Sequence, residues 1–198
     1  GVVLVKAAHA EQAVQGTAQL VTVHQANLAG ADGQLAKSYN PGNATTIQLM
    51  QGGKEQYKTT IAKTTGSGQV PQPFSFKSVP KGTYDLVVTK PGHLTYTVKG
   101  IAVEDTAINL TKHSNAAIST ITLLCGDIDG DGKINNLDYA IVMNPANFNK
   151  SYTIPGDVGN VLADLNGDSK INNLDYALIL NPNHFNKNTS HCSTNYVV

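Results

Sequence analysis

Apolar and polar positions along this chain follow two different periods, and the change between them falls near residue 122. Upstream, short alternating runs over 74–76, 84–89, 95–98 and 101–103 predict strands, cut off by Pro80, Gly82, Pro91, Gly92 and Gly100. Residues 16–23 and 45–50 read as further strands, 30–42 as turn-rich loop, and 106–110 and 118–124 as the strands that close the sheets. Strands of this size at this spacing make a sandwich of two antiparallel sheets. Downstream, apolar residues cluster in two short helical segments, 135–144 and 172–181, each stopped by an Asn-Pro pair at Pro145 or Pro182. A mixed, two-domain chain is therefore expected. Residues 1–14 form an extension or first strand, 15–121 an N-terminal Ig-like β-sandwich, and 122–198 a small α-helical domain.

The two helical segments belong to a duplication. GDIDGDGKINNLDYAIVMNPANFNK, residues 126–150, returns as ADLNGDSKINNLDYALILNPNHFNK, residues 163–187, displaced by 37 positions with 16 of 25 identical. Self-similarity of that order is far beyond chance. In the first copy Asp127, Asp129 and Asp131 stand at positions one, three and five of a twelve-residue loop. Lys133 offers its carbonyl at seven, Asn135 stands at nine and Asp138 closes at twelve. In the second copy the same slots hold Asp164, Asn166, Asp168, Lys170, Asn172 and Asp175. Alternate oxygen-bearing side chains in a loop that wraps an ion suit a hard cation, and the pattern is that of an EF-hand-type calcium loop. Two Ca2+ ions are expected.

Ile134 and Ile171, at position eight, are expected to pair across the two loops and bury their side chains. The closing Asp is shorter than the bidentate Glu of the general EF-hand, which draws the following helix toward the ion. No amphipathic helix precedes either loop, which argues against a calmodulin-like switch. Asn166 removes one charge from the second loop and Ser169 replaces its position-six glycine, so that loop is expected to bind calcium more weakly.

Composition narrows the function classes. Fourteen acids balance fourteen lysines, and arginine is absent, so nucleic acid is not an expected partner. No apolar run approaches bilayer-spanning length, so no membrane insertion is expected; the N-terminus lacks a leader pattern and reads as an internal cut from a longer protein. His9, His24, His93 and His113 are scattered and read as surface or turn residues. Residues 65–68 lack the context of a nucleophile elbow, and Lys77, Lys90 and Lys99 read as solvated strand lysines rather than isopeptide donors. Metal would occupy the loop carboxylates and leave no acid–base pair, so neither an enzyme nor a small-molecule substrate is expected. Cys125 and Cys192 bracket the duplicated region, and a disulfide joining its ends, hence an oxidising compartment, is expected; two separate thiols are the alternative.

Two resemblances follow. The aromatic, V-P-x-G-x-Y and final I-x-V pattern over 74–103 resembles the small carboxypeptidase-regulatory-like sandwiches, a pattern shared by the X modules of bacterial cellulosomes. Two loops of the form D-x-[DN]-x-D-x-x-I-N-x-x-D, each followed by one short helix, over 124–192, resemble the dockerin module. Together they are similar to the type II X module–dockerin dyads that end scaffoldins.

This resemblance implies F-hand loops folded by calcium, and a cohesin module of a partner protein bound on the loop-helix faces. It implies a secreted or cell-surface bacterial protein working in cellulosome assembly or attachment, and so in polysaccharide degradation. Carried over, the partner-binding positions are Asn136, Leu137, Ala140, Met143 and Asn144 in the first copy. In the second they are Asn173, Leu174, Ala177, Leu180 and Asn181. The near-identity of the copies suggests two binding orientations related by a half-turn. The competing reading is a calcium-stabilised extracellular adhesion or carbohydrate-binding module. Against it, tryptophan is absent and Tyr39, Tyr57, Tyr84 and Tyr96 form no evident row.

Overall fold

The structure, a computed structural model, describes residues 17–25, 43–63, 71–105 and 108–197, with the backbone alone described for 17–25, 71–73, 77 and 78. The expected extension 1–14, the loop 30–42, the stretch 65–68, His9 and Tyr39 lie outside the described residues, as do the side chains of His24 and Lys77.

The first strands are β1 (Thr17–Gln25), β2 (Thr45–Gln51), β3 (Lys54–Ile61), β4 (Pro71–Pro80), β5 (Gly82–Thr89), β6 (Gly92–His93), β7 (Tyr96–Val103) and β8 (Ile108–Asn109). After them come helix α1 (Ala116–Ser119), β9 (Ile121–Thr122), β10 (Cys125–Asp127), α2 (Asn136–Met143), β11 (Lys150–Ser151), β12 (Lys170–Ile171), α3 (Asn173–Ile179) and β13 (Ser193–Asn195). One sheet runs β13-β7-β5-β2-β3; the other runs β4-β1-β8, with β9 also paired to β1. Alternation along β5 buries Tyr84, Leu86 and Val88, which meet Ile47 and Leu49 of β2, Val98, Ile101 and Val103 of β7, and Phe74, Phe76 and Val79 of β4. The expected sandwich is present and closes over this core.

Several expected boundaries move. Gly100 does not end a strand: Gly82 to Val103 pairing continues past it through a register shift between Tyr84 and Leu86. There the Gly100 N–H donates to Asp85 Oδ1 at 2.8 Å, so the glycine marks a bulge inside one strand. Strand β3 was not predicted, because its sequence is polar and it is an exposed sheet edge. A signal was present in Gly52 and Gly53, both at positive φ, which form the two-residue turn between β2 and β3. The expected strand 118–124 begins instead as helix α1, because the Asn115 side chain accepts the Ala117 N–H at 2.9 Å and caps it; strand pairing is confined to β9. Among the described residues of the expected strand 106–110, β8 passes into a 3-10 turn over Leu110–Lys112.

A second core gathers Leu94, Cys125, Ile128, Ile134, Val142, Val158, Ala163, Leu165, Ile171, Leu178, Ile179 and Cys192, and Tyr96 packs against both cores. Backbone ladders stitch the two units. Strand β10 pairs with β6, Cys125 opposite His93 and Asp127 opposite Gly92, and β13 adds to the sandwich sheet in parallel with β7. The Leu94 N–H donates to the Leu124 carbonyl at 2.8 Å and the Thr97 N–H to the Cys192 carbonyl at 2.9 Å. The last strand of the helical unit thus completes the sheet of the first.

Two imidazoles lie buried along this seam. His93 Nδ1–H donates to the Pro91 carbonyl and His184 Nδ1–H to the Cys125 carbonyl, both at 2.9 Å, while each Nε2 is buried without a hydrogen-bond partner. Burial, aided by the charge of Lys90, pushes His93 down to about 3, and burial also lowers His184. Because the folded values lie below the unfolded one, the unfolded chain binds more protons in acid. Stability is therefore complete above about pH 6.5 and is lost as pH falls through that value. In calcium-saturated protein, His93 alone is expected to cost about 1.4 kcal/mol by pH 5.5. Chemical denaturation at pH 7.5 and 5.5 should show this loss, and His93→Gln should reduce its slope; an unchanged slope would refute the assignment.

Candidate metal centres and the exposed helix face

The first loop leaves β10 at Asp127. Asp127, Asp129 and Asp131 each offer a carboxylate oxygen, and these oxygens lie within 4.8 Å of one another. Asp127 Oδ2 accepts the Gly132 N–H at 3.1 Å, whereas Asp127 Oδ1 is buried with no hydrogen-bond partner. A buried, unpartnered carboxylate oxygen beside two more carboxylates costs free energy unless a cation meets it. Burial, then repulsion from Asp138, Asp129 and Asp131, pushes Asp127 up to about 6 despite the Gly132 bond. The donor set is all oxygen, so these residues fit a hard divalent cation.

Asp138 closes the loop in a second way. Its Oδ1 accepts the N–H groups of Ile128 at 2.7 Å and Asp129 at 3.3 Å, and its Oδ2 accepts that of Asn135 at 2.9 Å. Asn135, expected among the ligands at position nine, spends its side chain on the N–H of Leu137 at 2.7 Å and caps helix α2. The second copy repeats this. Asp175 Oδ1 accepts from Leu165 at 2.8 Å and Asn166 at 3.3 Å, Oδ2 accepts from Asn172 at 2.8 Å, and Asn172 accepts from Leu174 at 2.8 Å. Burial foremost, with Asp164's charge, pushes Asp175 up to about 7. Each closing carboxylate therefore ties loop to helix through backbone amides and strengthens the helix N-terminus.

The loops do not pair with each other. Ile134 donates its N–H to the Lys187 carbonyl and accepts from the Asn186 N–H, both at 2.8 Å, while Ile171 lies opposite Lys150 in the β11–β12 ladder. Both isoleucine side chains are fully buried as expected, but each loop is edged by the tail that follows the other copy's helix. The physical reason is the turn after each helix: Asn149 and Asn186, at φ 58° and 59°, reverse the tail toward the opposite loop before the two loops can meet. Asn147 and His184, also equivalent positions, then anchor these turns. Asn147 Oδ1 accepts the Asn160 N–H at 2.8 Å and its amide donates to the Ile141 carbonyl at 2.7 Å. The duplication offset would have found both residues, which sequence reasoning passed over.

Lys133 and Lys170, at position seven, take their place on these edges. Lys133 bridges Asn188 and Lys170 lies opposite Ser151, while their N–H groups bond Asp131 Oδ1 at 2.8 Å and Asp168 Oδ1 at 2.9 Å. In the second loop the Asp164 carboxylate is fully buried. Its Oδ1 accepts from Gly167 at 2.8 Å and Asp168 at 3.2 Å, and its Oδ2 from Ser169 at 2.9 Å. Ser169 takes the left-handed conformation that Gly132 takes in the first loop, φ 65° against 80°, without a glycine's tolerance for it.

Gly126 precedes the first loop, where the second copy has Ala163. At φ 133°, a Cβ on Gly126 would stand 2.9 Å from Ile134 Cγ2, inside the core. Gly126→Ala is expected to destabilise the calcium-loaded protein by about 2 kcal/mol, read from denaturant midpoints. An unaltered midpoint would show that Ile134 repacks freely.

Helices α2 and α3 pack through Tyr139 and Tyr176, an edge-on pair at 6.0 Å, and bury Val142 on one helix and Leu178 and Ile179 on the other. The opposite side carries Leu137 at 60% exposure, Leu174 at 54% and Leu180 at 44%. Asn136, Ala140, Asn144, Asn173 and Ala177 are exposed with them, and Met143 is half-buried. Asn181 departs from expectation. It is buried where Asn144 is exposed, although both shape the same turn: Asn181 Oδ1 accepts the Asn183 N–H and Asn144 Oδ1 that of Ala146, both at 2.8 Å, and each carbonyl accepts two further N–H groups. The two copies are thus unequal at the helix end.

The expected disulfide is not formed. Cys125 and Cys192 are separate, buried thiols, and the Cys125 Sγ lies 3.8 Å from His184 Nδ1. Cys125 turns into the core from β10, while the backbone of Cys192 serves β7, and burial pushes their thiols up to about 12 and about 11. Among the described residues, no helix is long and apolar enough to cross a membrane.

Residues 125–182 match the dockerin type I domain. Two crystal structures share the fold, both type II cohesin–X-dockerin complexes from Acetivibrio cellulolyticus. In an N-terminal interface mutant the matched chain is 23% identical with a TM-score of 0.59, and 88% of this chain and 99% of that one are covered. In a C-terminal interface mutant the TM-score is 0.61 at 23% identity, with the same coverage of 88% and 99%. No curated protein matches the chain. At that identity the likeness is one of fold, a sandwich followed by a dockerin-like duplication.

Proposed function

We propose that this chain, in which a dockerin repeat follows an X-module-like sandwich, is a non-catalytic docking unit whose calcium-loaded loops present two helices to a cohesin module on a partner protein. One observation carries the reading: Leu137 and Leu174 stand 60% and 54% exposed at equivalent positions, in the first helical turn where each ion-binding loop closes. Large apolar side chains held out at the rigid start of a capped helix are groups that a partner covers. Asp127, Asp129 and Asp131 hold one ion, and Asp164, Asn166 and Asp168 hold the other. The closing Asp138 and Asp175 fasten each loop to its helix, so that loading the loops fixes the helix starts.

The setting that fits this role is outside the cell, in the assembly or attachment of a polysaccharide-degrading complex. The test is titration of the chain with a type II cohesin in calcium and in chelator, beside retention on insoluble polysaccharide. Binding in calcium alone supports the reading. Retention on polysaccharide without cohesin binding would transfer it to a carbohydrate-binding module.

A further inference from the structure

Among the differences between the two copies, one brings a side chain of the opposite tail onto an ion-binding carboxylate. The tail after helix α2 edges the second loop, and Tyr152 ends that tail; the tail after helix α3 edges the first loop, and Thr189 ends it, displaced by the same 37 residues. The backbone contacts agree: the Tyr152 N–H donates to the Ser169 carbonyl at 3.1 Å, and the Thr189 N–H donates to the Gly132 carbonyl at 3.1 Å. Position-six N–H groups also agree, since Gly132 bonds Asp127 Oδ2 at 3.1 Å and Ser169 bonds Asp164 Oδ2 at 2.9 Å. The side chains of the two tails part. The Tyr152 hydroxyl donates to Asp164 Oδ2 at 2.6 Å, whereas the Thr189 side chain lies over Gly132.

The geometry points to Tyr152 as a positioning residue for the second calcium loop, one that clips the first ligand of that loop through its hydroxyl and has no counterpart in the first. The inference rests on the calcium reading above. Asp164 Oδ2 is held between the Ser169 N–H and the Tyr152 O–H, which fixes the plane of the carboxylate and leaves Oδ1, bonded within the loop by Gly167 and Asp168, as its other face. Hydrogen bonds behind a ligating group hold it in place, and their removal commonly costs about 10-fold or more in metal affinity. The second loop has the greater need of such a clip. It has Asn166 where the first has Asp129, and it holds Ser169 in the left-handed conformation that Gly132 adopts freely.

Tyr152→Phe keeps the ring and the backbone bond to Ser169 and removes only the hydroxyl. In solutions buffered to set free calcium, the amide resonance of Gly167 reports the second loop and that of Gly130 the first. The variant is expected to shift the Gly167 midpoint about 10-fold toward higher calcium and to leave the Gly130 midpoint in place. Thr189→Val is expected to move neither. Coincident Gly167 midpoints in the variant and the parent, or a shift toward lower calcium, would overturn the role. Equal shifts at both glycines would overturn it too, as a general loss of fold, and a melt in saturating calcium identifies that case. If the unaltered chain shows no calcium-dependent shift at either glycine, the calcium reading itself fails, an outcome distinct from a failure of the Tyr152 comparison.

Discussion

Alanine at Leu137, Met143, Leu174 and Leu180 together is expected to weaken cohesin binding by more than about 100-fold in calorimetry, while alanine at either pair alone leaves a complex of similar affinity. Each exposed leucine buried under a partner contributes on the order of 1.5–3 kcal/mol, so losing both helix faces removes most of what a small interface supplies. The pairs substitute for one another if the partner accepts the unit in two orientations related by a half-turn. Leu137 and Leu174 stand at equivalent positions and are similarly exposed, which makes the two faces alike where contact is greatest. The copies are less alike at the helix ends, where Leu180 is exposed and Met143 half-buried. A modest preference for the orientation led by α3 follows. If the Leu137/Met143 variant alone abolished binding, a single orientation would be established instead.

The second large effect is that of removing calcium. Chelation is expected to lower the melting temperature by about 10 °C and to abolish cohesin binding. Ligand at about 1,000 times its dissociation constant stabilises by about 4 kcal/mol, and each kcal/mol moves the midpoint of a chain this size by about 2–4 °C. The direction comes from the carboxylates. Asp127, Asp138, Asp164 and Asp175 are all buried, and burial raises each of them, so the ion-free loops hold negative charge that they poorly tolerate. Strand β10 carries the effect onward, since Asp127 pairs with Gly92 of the sandwich. A melt followed by circular dichroism, with and without chelator, checks this, and coincident curves would remove calcium from the account.

Much of the site was legible in the sequence because its chemistry is local. The spacing of oxygen-bearing side chains within twelve residues and an Asn-Pro stop are set by neighbours along the chain, whereas Asn135 and Asn172, read as ligands, turn out to cap the helices. The same holds for the sandwich strands whose alternation buries Tyr84, Leu86 and Val88. Local reasoning failed where a distant segment decided the outcome. Strand β3 is a polar edge that exists because β2 offers it a partner, and Gly100 is a bulge because Asp85 binds its N–H. The expected bond between Cys125 and Cys192 rested on the ends of the repeat lying close. Both ends do meet the 93–97 stretch, Cys125 opposite His93 and Cys192 bonded to Thr97, yet Cys125 packs against His184 in the core.

By itself, then, the sequence determined the duplication, the oxygen-rich spacing of the loops and the apolar helix segments, because each is written in the identity and spacing of residues within one copy. Only the tertiary structure decided which tail edges which loop, that Asn181 is buried while Asn144 is exposed, that β13 completes the sandwich sheet, and that Tyr152 reaches Asp164. Those outcomes depend on where the chain returns after each helix. Side chains spaced alike along two nearly identical copies acquire different partners once the copies fold against each other and against a sandwich whose β6 strand pairs with the entry to the first loop.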